Sequence, residues 1–214
     1  MLCRPLALAL LLPLAACGGD DAPDEEGGLF STLEQANALR ETAGNVQERM
    51  EELAEDAERG PAETVDFRRI RELLPERAAG LERTALEGSK NGAAGFTVSQ
   101  AEGTYAADPA SATLTVSDLG GAGMAIMMAA AWTMAEVDQE TDTSFERTAE
   151  VEGYPGYESY DTERERGEVQ LLVADRFLVK ASGSSVPYET LRELAASVDL
   201  GTLESWKDEG RPAE

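Results

Sequence analysis

The hydrophobic pattern of this chain changes its period at Gly95, and that change limits the folds open to it. Before Gly95, apolar residues recur every three or four positions, as on one face of a helix. After Gly95, apolar and polar residues alternate in short runs separated by turn residues, as in half-buried strands. The sequence therefore predicts an α+β fold, with an N-terminal helical region followed by an antiparallel sheet that carries one or two helices.

The helical region begins with a long predicted helix over residues 31–59. Ser31 and Glu34 form a capping box at its start, and Gly60-Pro61 is a pairing expected after a helix end. One side of this helix carries apolar residues at coiled-coil spacing, namely Ala36, Leu39, Ala43, Val46, Met50, Leu53 and Ala57. This seam favours packing within the chain, and self-association through residues 31–59 is the alternative.

Two shorter helices are predicted over residues 65–74 and 76–86. Thr64 or Asp66 caps the first of them, and Pro75 weakens or ends it. The segment is rich in basic residues, namely Arg68, Arg69, Arg71 and Arg77. We interpret these arginines as ion-pair partners of glutamates on the same helices. The alternative is a site that binds a carboxylate or a phosphate.

Six strands are predicted after Gly95, over residues 96–100, 112–117, 144–152, 157–163, 168–174 and 177–182. Turns are expected at Asp108-Pro109 and Pro155-Gly156, and Asp175-Arg176 has the length of a two-residue hairpin loop. Short strands joined by turns indicate an antiparallel sheet.

Two helices are predicted within and after these strands. Residues 124–137 are apolar on nearly every side but too few to span a bilayer, so they suit a helix buried against the sheet. The last helix is expected over residues 188–198, with Leu191 and Leu194 on its apolar side.

The order of elements over residues 96–203 resembles the Mog1/PsbP-like fold of some envelope lipoproteins. The resemblance rests on that order and on the closing pattern of strand 168–173, the run Arg176-Phe177-Leu178-Val179 and a final helix. It implies a binding or assembly role. It brings no catalytic residue with it.

The N-terminus has the features of an exported lipoprotein. Residues 1–16 combine a basic start with an apolar run that is too short to cross a membrane, as in a signal peptide. The sequence Leu14-Ala15-Ala16-Cys17 resembles the lipobox of bacterial lipoproteins. The resemblance implies cleavage before Cys17 and lipid, including palmitate, on that cysteine. An ordinary signal peptide cut after Ala16 is the alternative.

These features predict a cell-envelope protein that is anchored to a membrane through Cys17 and faces the periplasm or the exterior. Residues 17–28 form a flexible acidic tether, residues 29–88 a helical region, residues 95–206 the α+β domain and residues 207–214 a polar tail. Cys3 leaves with the signal peptide, so Cys17 has no disulfide partner. Whether the membrane is inner or outer stays open.

The charge of the chain limits its partners. The formal net charge is −24, and such a surface repels nucleic acid and anionic lipid headgroups. We therefore expect an envelope protein as the partner and no nucleic acid.

The composition argues against familiar catalytic machinery. The chain has no histidine, which excludes Ser-His-Asp and Cys-His catalysis and histidine metal sites. A dyad of Lys180 and Ser182 is a minor alternative. The sequence favours a protein- or ligand-binding module that is not an enzyme and needs no cofactor. The alternatives are a cation- or solute-binding lipoprotein and, less favoured, a carboxylate-dependent hydrolase.

Two segments could hold a metal ion. Asp138, Glu140 and Asp142 alternate as at the start of a calcium loop, but Thr143 stands where that loop needs glycine, so they are weak candidates. The methionines at 124, 127, 128 and 134 lie in the apolar stretch, where this residue ordinarily fills the core.

Two further motifs have a structural and a functional interpretation. The run from Asp118 to Gly123 is interpreted as a tight strand-to-helix turn, with a backbone anion cradle as the alternative. Tyr154, Tyr157 and Tyr160 are expected to pack across a hairpin, and a protein or glycan contact surface is the alternative.

Overall fold

The computed structural model describes residues 62–93, 96–121, 131–134 and 136–211. The lipobox, the tether, the predicted helix over 31–59 and most of the predicted helix over 124–137 lie outside these residues. The strands are β1 (Arg77–Ala78), β2 (Leu81–Ala93), β3 (Phe96–Ala107), β4 (Ala110–Asp118), β5 (Asp138–Glu140), β6 (Ser144–Val151), β7 (Tyr154–Asp161), β8 (Arg166–Val173) and β9 (Phe177–Ser184). The helices are α1 (Phe67–Glu72), a 3-10 helix (Ala131–Met134), α2 (Tyr188–Ala196) and α3 (Leu200–Ser205).

The nine strands form one antiparallel sheet made of two meanders. The strand order is β1-β2-β3-β4-β9-β8-β7-β6-β5, so chain neighbours pair within each meander and β4 pairs with β9 between them. Leu114 of β4 lies opposite Ala181 of β9 at this junction. The antiparallel sheet with short helices confirms the coarse α+β prediction.

The three α-helices pack on one face of this sheet and bury its apolar side chains, whereas Trp132 of the 3-10 helix lies with the apolar cluster of the opposite face. In the described part of the chain, α1 lies against β2 and β3, whereas α2 lies against β4, β8 and β9. Alternate residues of the strands point into this core, and the fully buried ones include Tyr105, Leu114, Val116, Leu171, Val179 and Ala181. Leu191 and Leu194 of α2 are equally buried, as their helical spacing predicts.

The opposite face of the sheet, which we call the open face, carries mostly polar side chains. Strand residues one position away from the core residues point there, because successive side chains alternate between the two faces. Its apolar part is a small cluster at one end, consisting of Leu119, Leu172, Val98, Leu178 and Trp132.

The prediction of a helix over residues 76–86 is wrong, because this segment forms β1 and the start of β2. Ala79 and Gly80 have positive φ angles of 52° and 77° and make the turn between the two strands. The register of β2 against β3 shifts between Arg83 and Ala85. That bulge interrupts the two-residue alternation and leaves Leu81 and Leu86 at a spacing that does not indicate a strand.

The helix predicted over residues 65–74 is confirmed in a shorter form as α1. Asp66 is its N-cap, since its Oδ1 accepts a hydrogen bond of 2.8 Å from the backbone N–H of Arg68. The helix predicted over residues 188–198 is likewise confirmed as α2. A second helix, α3, follows it after the cap residue Asp199.

Of two turns predicted between strands, one is displaced by a few residues and the other is confirmed. Pro155 and Gly156 lie within β7, and the turn is made by Glu152 and Gly153, whose φ angles are 55° and 84°. The turn predicted at Asp108-Pro109 is confirmed, since Ala107 pairs with Ala110 across it.

The loop between β8 and β9 is also longer than predicted. Ala174 and Asp175 take up the positive φ angles, 55° and 50°, and Val173 pairs with Phe177. Arg176 therefore lies after the tight turn and turns its side chain into the protein, where it is fully buried.

Candidate functional site: a polar groove on the open face

Hydrogen-bonding side chains form a continuous row across six strands of the open face. Residues paired in register share a row, and this row, which we call the polar row, comprises Thr113, Ser182, Glu168, Ser159, Glu146 and Gln139. The next row on the same face is also polar and comprises Ser111, Ser184, Arg166, Asp161 and Ser144. The two rows bring together residues from both meanders.

These two rows border a groove of about 930 Å³, which we call the polar groove. A volume of this size lies within the range of small-molecule sites. Three basic side chains, Arg164, Arg166 and Lys180, line it together with three acidic ones, Glu146, Asp161 and Glu168. The groove is therefore balanced in formal charge, although the whole chain carries −24.

A chain of polar contacts fixes the side chains in the middle of the groove. The Nζ of Lys180 lies 2.5 Å from Oε2 of Glu168, and Nε2 of Gln170 donates to Oε1 of the same carboxylate at 2.7 Å. Nε1 of Trp132 donates to Oε1 of Gln170 at 3.2 Å. Both oxygens of Glu168 thus have partners, and the 3-10 helix is tied to the strands beneath it.

Tyr157 lies beside the polar row and packs against Trp132. Their ring centroids are 6.3 Å apart and the rings are nearly parallel, at 24°. Burial, together with a hydrogen bond to Glu146, raises the pKa of Tyr157 to about 12. Tyr157 therefore keeps its proton to a higher pH than an exposed tyrosine does.

The basic residues at the far end of the groove differ in their pairing. Arg164 donates its backbone N–H to Oδ1 of Asp161 at 2.8 Å, and its guanidinium group pairs with the same side chain. These bonds lower the pKa of Asp161. Among the described residues, Arg166 makes no ion pair, so its guanidinium group is available to a ligand.

The lysine of the groove is paired with a carboxylate, and hydroxyl groups surround it. Lys180 directs its ammonium group to Glu168, and the described residues contain no hydrogen bond between Lys180 and Ser182. The proposed dyad is therefore not brought together. Seven hydroxyl side chains line the groove, namely Ser111, Thr113, Thr141, Ser144, Ser159, Ser182 and Ser184. Such a surface provides donors and acceptors for a polar ligand.

The run after β4 is organised around a buried ion pair and does not form an empty anion cradle. Both oxygens of Asp118 accept from the guanidinium group of Arg176, at 2.8 and 2.9 Å. They also accept backbone N–H groups of Val65, at 2.7 Å, and Gly120, at 2.8 Å. The anion that these amides bind is thus a carboxylate of the protein itself.

Arg176 also joins the two ends of the described chain. Its guanidinium group donates to the carbonyl oxygens of Trp206, Lys207 and Glu209, at 3.0, 3.0 and 2.6 Å. It further donates to the carbonyl oxygen of Glu63 at 3.1 Å. The sequence did not predict this structural role of Arg176. In the sequence it is a residue of a predicted hairpin loop, and such residues are ordinarily exposed.

A second buried carboxylate lies on the helix face. Glu158 is completely buried and accepts from Arg147 at 2.9 Å and from Arg192 at 3.0 Å. Both arginines also donate to the hydroxyl of Tyr188, at 3.1 and 3.3 Å. These bonds tie α2 to β6 and β7, and each polar partner is used within the protein.

The basic cluster near α1 forms ion pairs, as predicted, but with other partners. Arg69 pairs with Glu209 near the end of the described chain, and its guanidinium group lies 4.5 Å from the ring centroid of Trp206. Arg77 pairs with Glu82 across the β1–β2 hairpin. Arg68 pairs locally with Asp66, the N-cap of α1, at 3.4 Å. The pairs of Arg69 and Arg77 instead connect segments that are distant or strand-paired.

The three tyrosines lie on both faces of the sheet. Tyr160 is buried on the helix face, where its hydroxyl donates to the carbonyl oxygen of Val186 at 2.8 Å, and Tyr154 shares that face. Tyr157 points to the open face. Cross-strand packing is confirmed for Tyr160, whose ring centroid is 6.3 Å from that of Phe145.

The weak metal candidates lie at the edge of the sheet. Asp138 and Glu140 are exposed on β5, and Asp142 is exposed in the turn that follows. The described residues contain no group of three or more acidic, histidine or cysteine side chains that could hold a metal ion. Cys17 and the methionines at 124, 127 and 128 lie outside the described residues.

The polar groove was not predicted from the sequence, although part of its signal is visible there. Thr113 and Thr115, Glu168 and Gln170, and Lys180 and Ser182 alternate with apolar residues in their strands. This alternation identifies polar faces. It does not show that the faces align in one row, because alignment depends on the register of strands far apart in sequence.

None of the described helices has the length and apolar character needed to cross a membrane. Comparison of the chain with protein-family models, with curated proteins and with solved structures finds no match.

Proposed function

We propose that the protein is a lipid-anchored binding module of the bacterial cell envelope and that its ligand occupies the polar groove. Anchoring is supported by the apolar run and by Leu14-Ala15-Ala16-Cys17 at the N-terminus. Two or more acyl chains would hold the protein stably at a membrane. The predicted helix over residues 31–59 would set the distance between the anchor and the sheet domain, or join two copies of the chain.

The observation that carries the binding role is the polar row. Six strands contribute hydrogen-bonding side chains to one face, and Glu168 is held in place by Lys180 and Gln170. Side chains with fixed orientations lose less entropy when a ligand binds. A binding role is favoured over hydrolysis because Glu168 and Asp161 already pair with cations. The bonds from Arg164 lower the pKa of Asp161, whereas a general acid needs a raised pKa.

A thermal-shift experiment on the full mature protein in detergent tests this proposal. The ligands are neutral oligosaccharides, uncharged peptides and calcium chloride, each added to the wild type, Ser182→Trp and Ser89→Trp. Ser182→Trp fills the centre of the polar row. Ser89 is exposed on the open face of β2, outside the groove, and provides the matched control.

We expect one class of ligand to raise the Tm of the wild type and of Ser89→Trp but not that of Ser182→Trp. Ligand at 100 times its Kd stabilises a protein by about 2.7 kcal/mol, a shift of several degrees. A shift that survives in Ser182→Trp, or the absence of any shift, would contradict the proposal. Stabilisation by calcium alone would favour the cation-binding alternative, and cleavage of the ligand would favour the hydrolase.

A further inference from the structure

The polar groove lacks an apolar floor, and this feature limits its ligands. The apolar residues that border it are Ala112, Phe145 and Tyr160. They belong to the row between the two polar rows, so their side chains point to the helix face. There the hydroxyl of Tyr160 donates a hydrogen bond to the carbonyl oxygen of Val186. A ligand in the groove therefore meets hydroxyl, carboxylate, amide and cationic groups, and it gains little from apolar contact.

The balance of charge in the groove favours a ligand without net charge. Its three basic and three acidic side chains include two close pairs, Lys180 with Glu168 and Arg164 with Asp161. A polyanion would meet these acids and the field of a chain with a net charge of −24. The net charge of the chain attracts a polycation, but in the groove it would meet three cations and would have to displace the existing pairs.

The shape of the groove favours an extended ligand. The polar row crosses six strands, so its length is about five inter-strand spacings, or about 24 Å. A ligand along this row runs across the strands and cannot join the sheet as a further strand. An extended peptide would thus lose the main-chain pairing and the side-chain pockets on which its recognition usually depends.

We infer that the polar groove binds an uncharged oligosaccharide. This inference rests on the proposed function, because it names the ligand class of the same groove. Sugar hydroxyls both donate and accept, so they match a lining of serine and threonine hydroxyls with fixed carboxylates and an amide at Gln139. Arg166 supplies further donors at one end, and the stacked rings of Trp132 and Tyr157 form an aromatic edge beside the row.

Isothermal titration with cellohexaose, chitohexaose and maltohexaose tests the inference. A hexapeptide of glycine and serine provides the peptide control. Each titration uses the full mature protein in detergent, as wild type, Ser182→Trp and Ser89→Trp, with folding checked by circular dichroism. We expect at least one oligosaccharide to bind the wild type, with an affinity that barely changes with salt because the ligand carries no charge. We expect binding to be at least tenfold weaker in Ser182→Trp and unchanged in Ser89→Trp.

The possible failures distinguish the inference from the proposed function. If the peptide binds and Ser182→Trp abolishes that binding, while no oligosaccharide binds, the ligand class is wrong but the groove is still a binding site. If neither class binds, and calcium produces no shift that Ser182→Trp removes, both statements are overturned. Oligosaccharide binding of equal strength to Ser182→Trp would place the sugar elsewhere and would also overturn the inference.

Discussion

At the scale of single residues, two buried carboxylates organise the fold, and both are bound by arginine. Asp118 and Arg176 are almost completely inaccessible to solvent, with side-chain exposures of 0% and 1%. Burial of two charges is costly, and the cost is offset here because both carboxylate oxygens of Asp118 and both terminal nitrogens of the Arg176 guanidinium group also bond backbone groups.

Asp118→Asn is expected to destabilise the protein by about 3–5 kcal/mol, because it leaves the guanidinium group of Arg176 buried without a counter-charge. Glu82→Gln is the matched control, since it removes a carboxylate from an exposed pair with Arg77 and should cost less than about 1 kcal/mol. The free energy of unfolding in urea checks both values. Similar losses in the two variants would show that the buried pair has no special role.

Tyr157 should make the stability of the protein depend on pH in alkaline solution. Its pKa is raised from 10.0 to about 12 in the folded protein, so the unfolded chain loses this proton first as the pH rises. The contribution of Tyr157 is complete below about pH 10 and is lost as the pH rises to about 12. Tyr157→Phe should reduce the fall in unfolding free energy over this range.

Denaturant titrations of the wild type and Tyr157→Phe at several alkaline pH values measure this effect. Three other tyrosines, Tyr105, Tyr160 and Tyr188, also have raised pKa values because of burial. Both proteins should therefore lose stability as the pH rises, but the wild type should lose it more steeply because it retains Tyr157. Identical slopes would contradict the assignment of the shift to Tyr157.

At the scale of elements, the sequence predicted those strands whose alternation is unbroken. β4, β6, β8 and β9 follow a two-residue pattern and were predicted within a few residues. β2 was mistaken for a helix because its bulge disrupts the pattern. The glycine and proline of β7 suggested a turn, but the positive φ angles of Glu152 and Gly153 place it just before them.

The groove could not be predicted in the same way. Its polar row depends on the pairing of β4 with β9, which joins residues 59 to 73 positions apart, such as Thr113 and Ser182. The alternation of polar and apolar residues in the sequence shows which residues share one face of a single strand. The order and register of the strands are set by packing across the whole sheet.

The junction of the two meanders provides a prediction at this scale. A Cβ on Gly183 of β9 would lie 2.6 Å from the carbonyl oxygen of Ser111 and 2.9 Å from Cγ2 of Val186. Gly183→Ala should therefore force β4 and β9 apart and cost about 1–3 kcal/mol.

Gly201→Ala is the matched control for this substitution. A Cβ at Gly201 of α3 meets only Asp199 Oδ1, at an ordinary contact distance of 3.5 Å. The same chemical change should therefore stabilise the protein by about 0.5–1 kcal/mol through helix propensity. Thermal unfolding measures both effects. Destabilisation by both variants, or by neither, would contradict the close packing at the junction.

At the scale of the whole molecule, the described chain forms a two-sided sheet. One face is covered by helices and contains the core, whereas the other presents a polar groove whose charges balance within a strongly acidic protein. This division leaves a large polar surface exposed without an apolar patch that would promote aggregation. We propose that a lipid on Cys17 holds this surface at the membrane.

The intact mass of the protein extracted from bacterial membranes tests this central claim most directly. Wild type, Cys17→Ala and Cys3→Ala are compared, because Cys3 lies in the segment expected to be removed and serves as the matched control. We predict that wild type and Cys3→Ala have the same mass, beginning at Cys17 and including acyl chains, and that Cys17→Ala lacks the acyl chains. A wild-type protein without acyl chains, or acylation that persists in Cys17→Ala, would contradict the account.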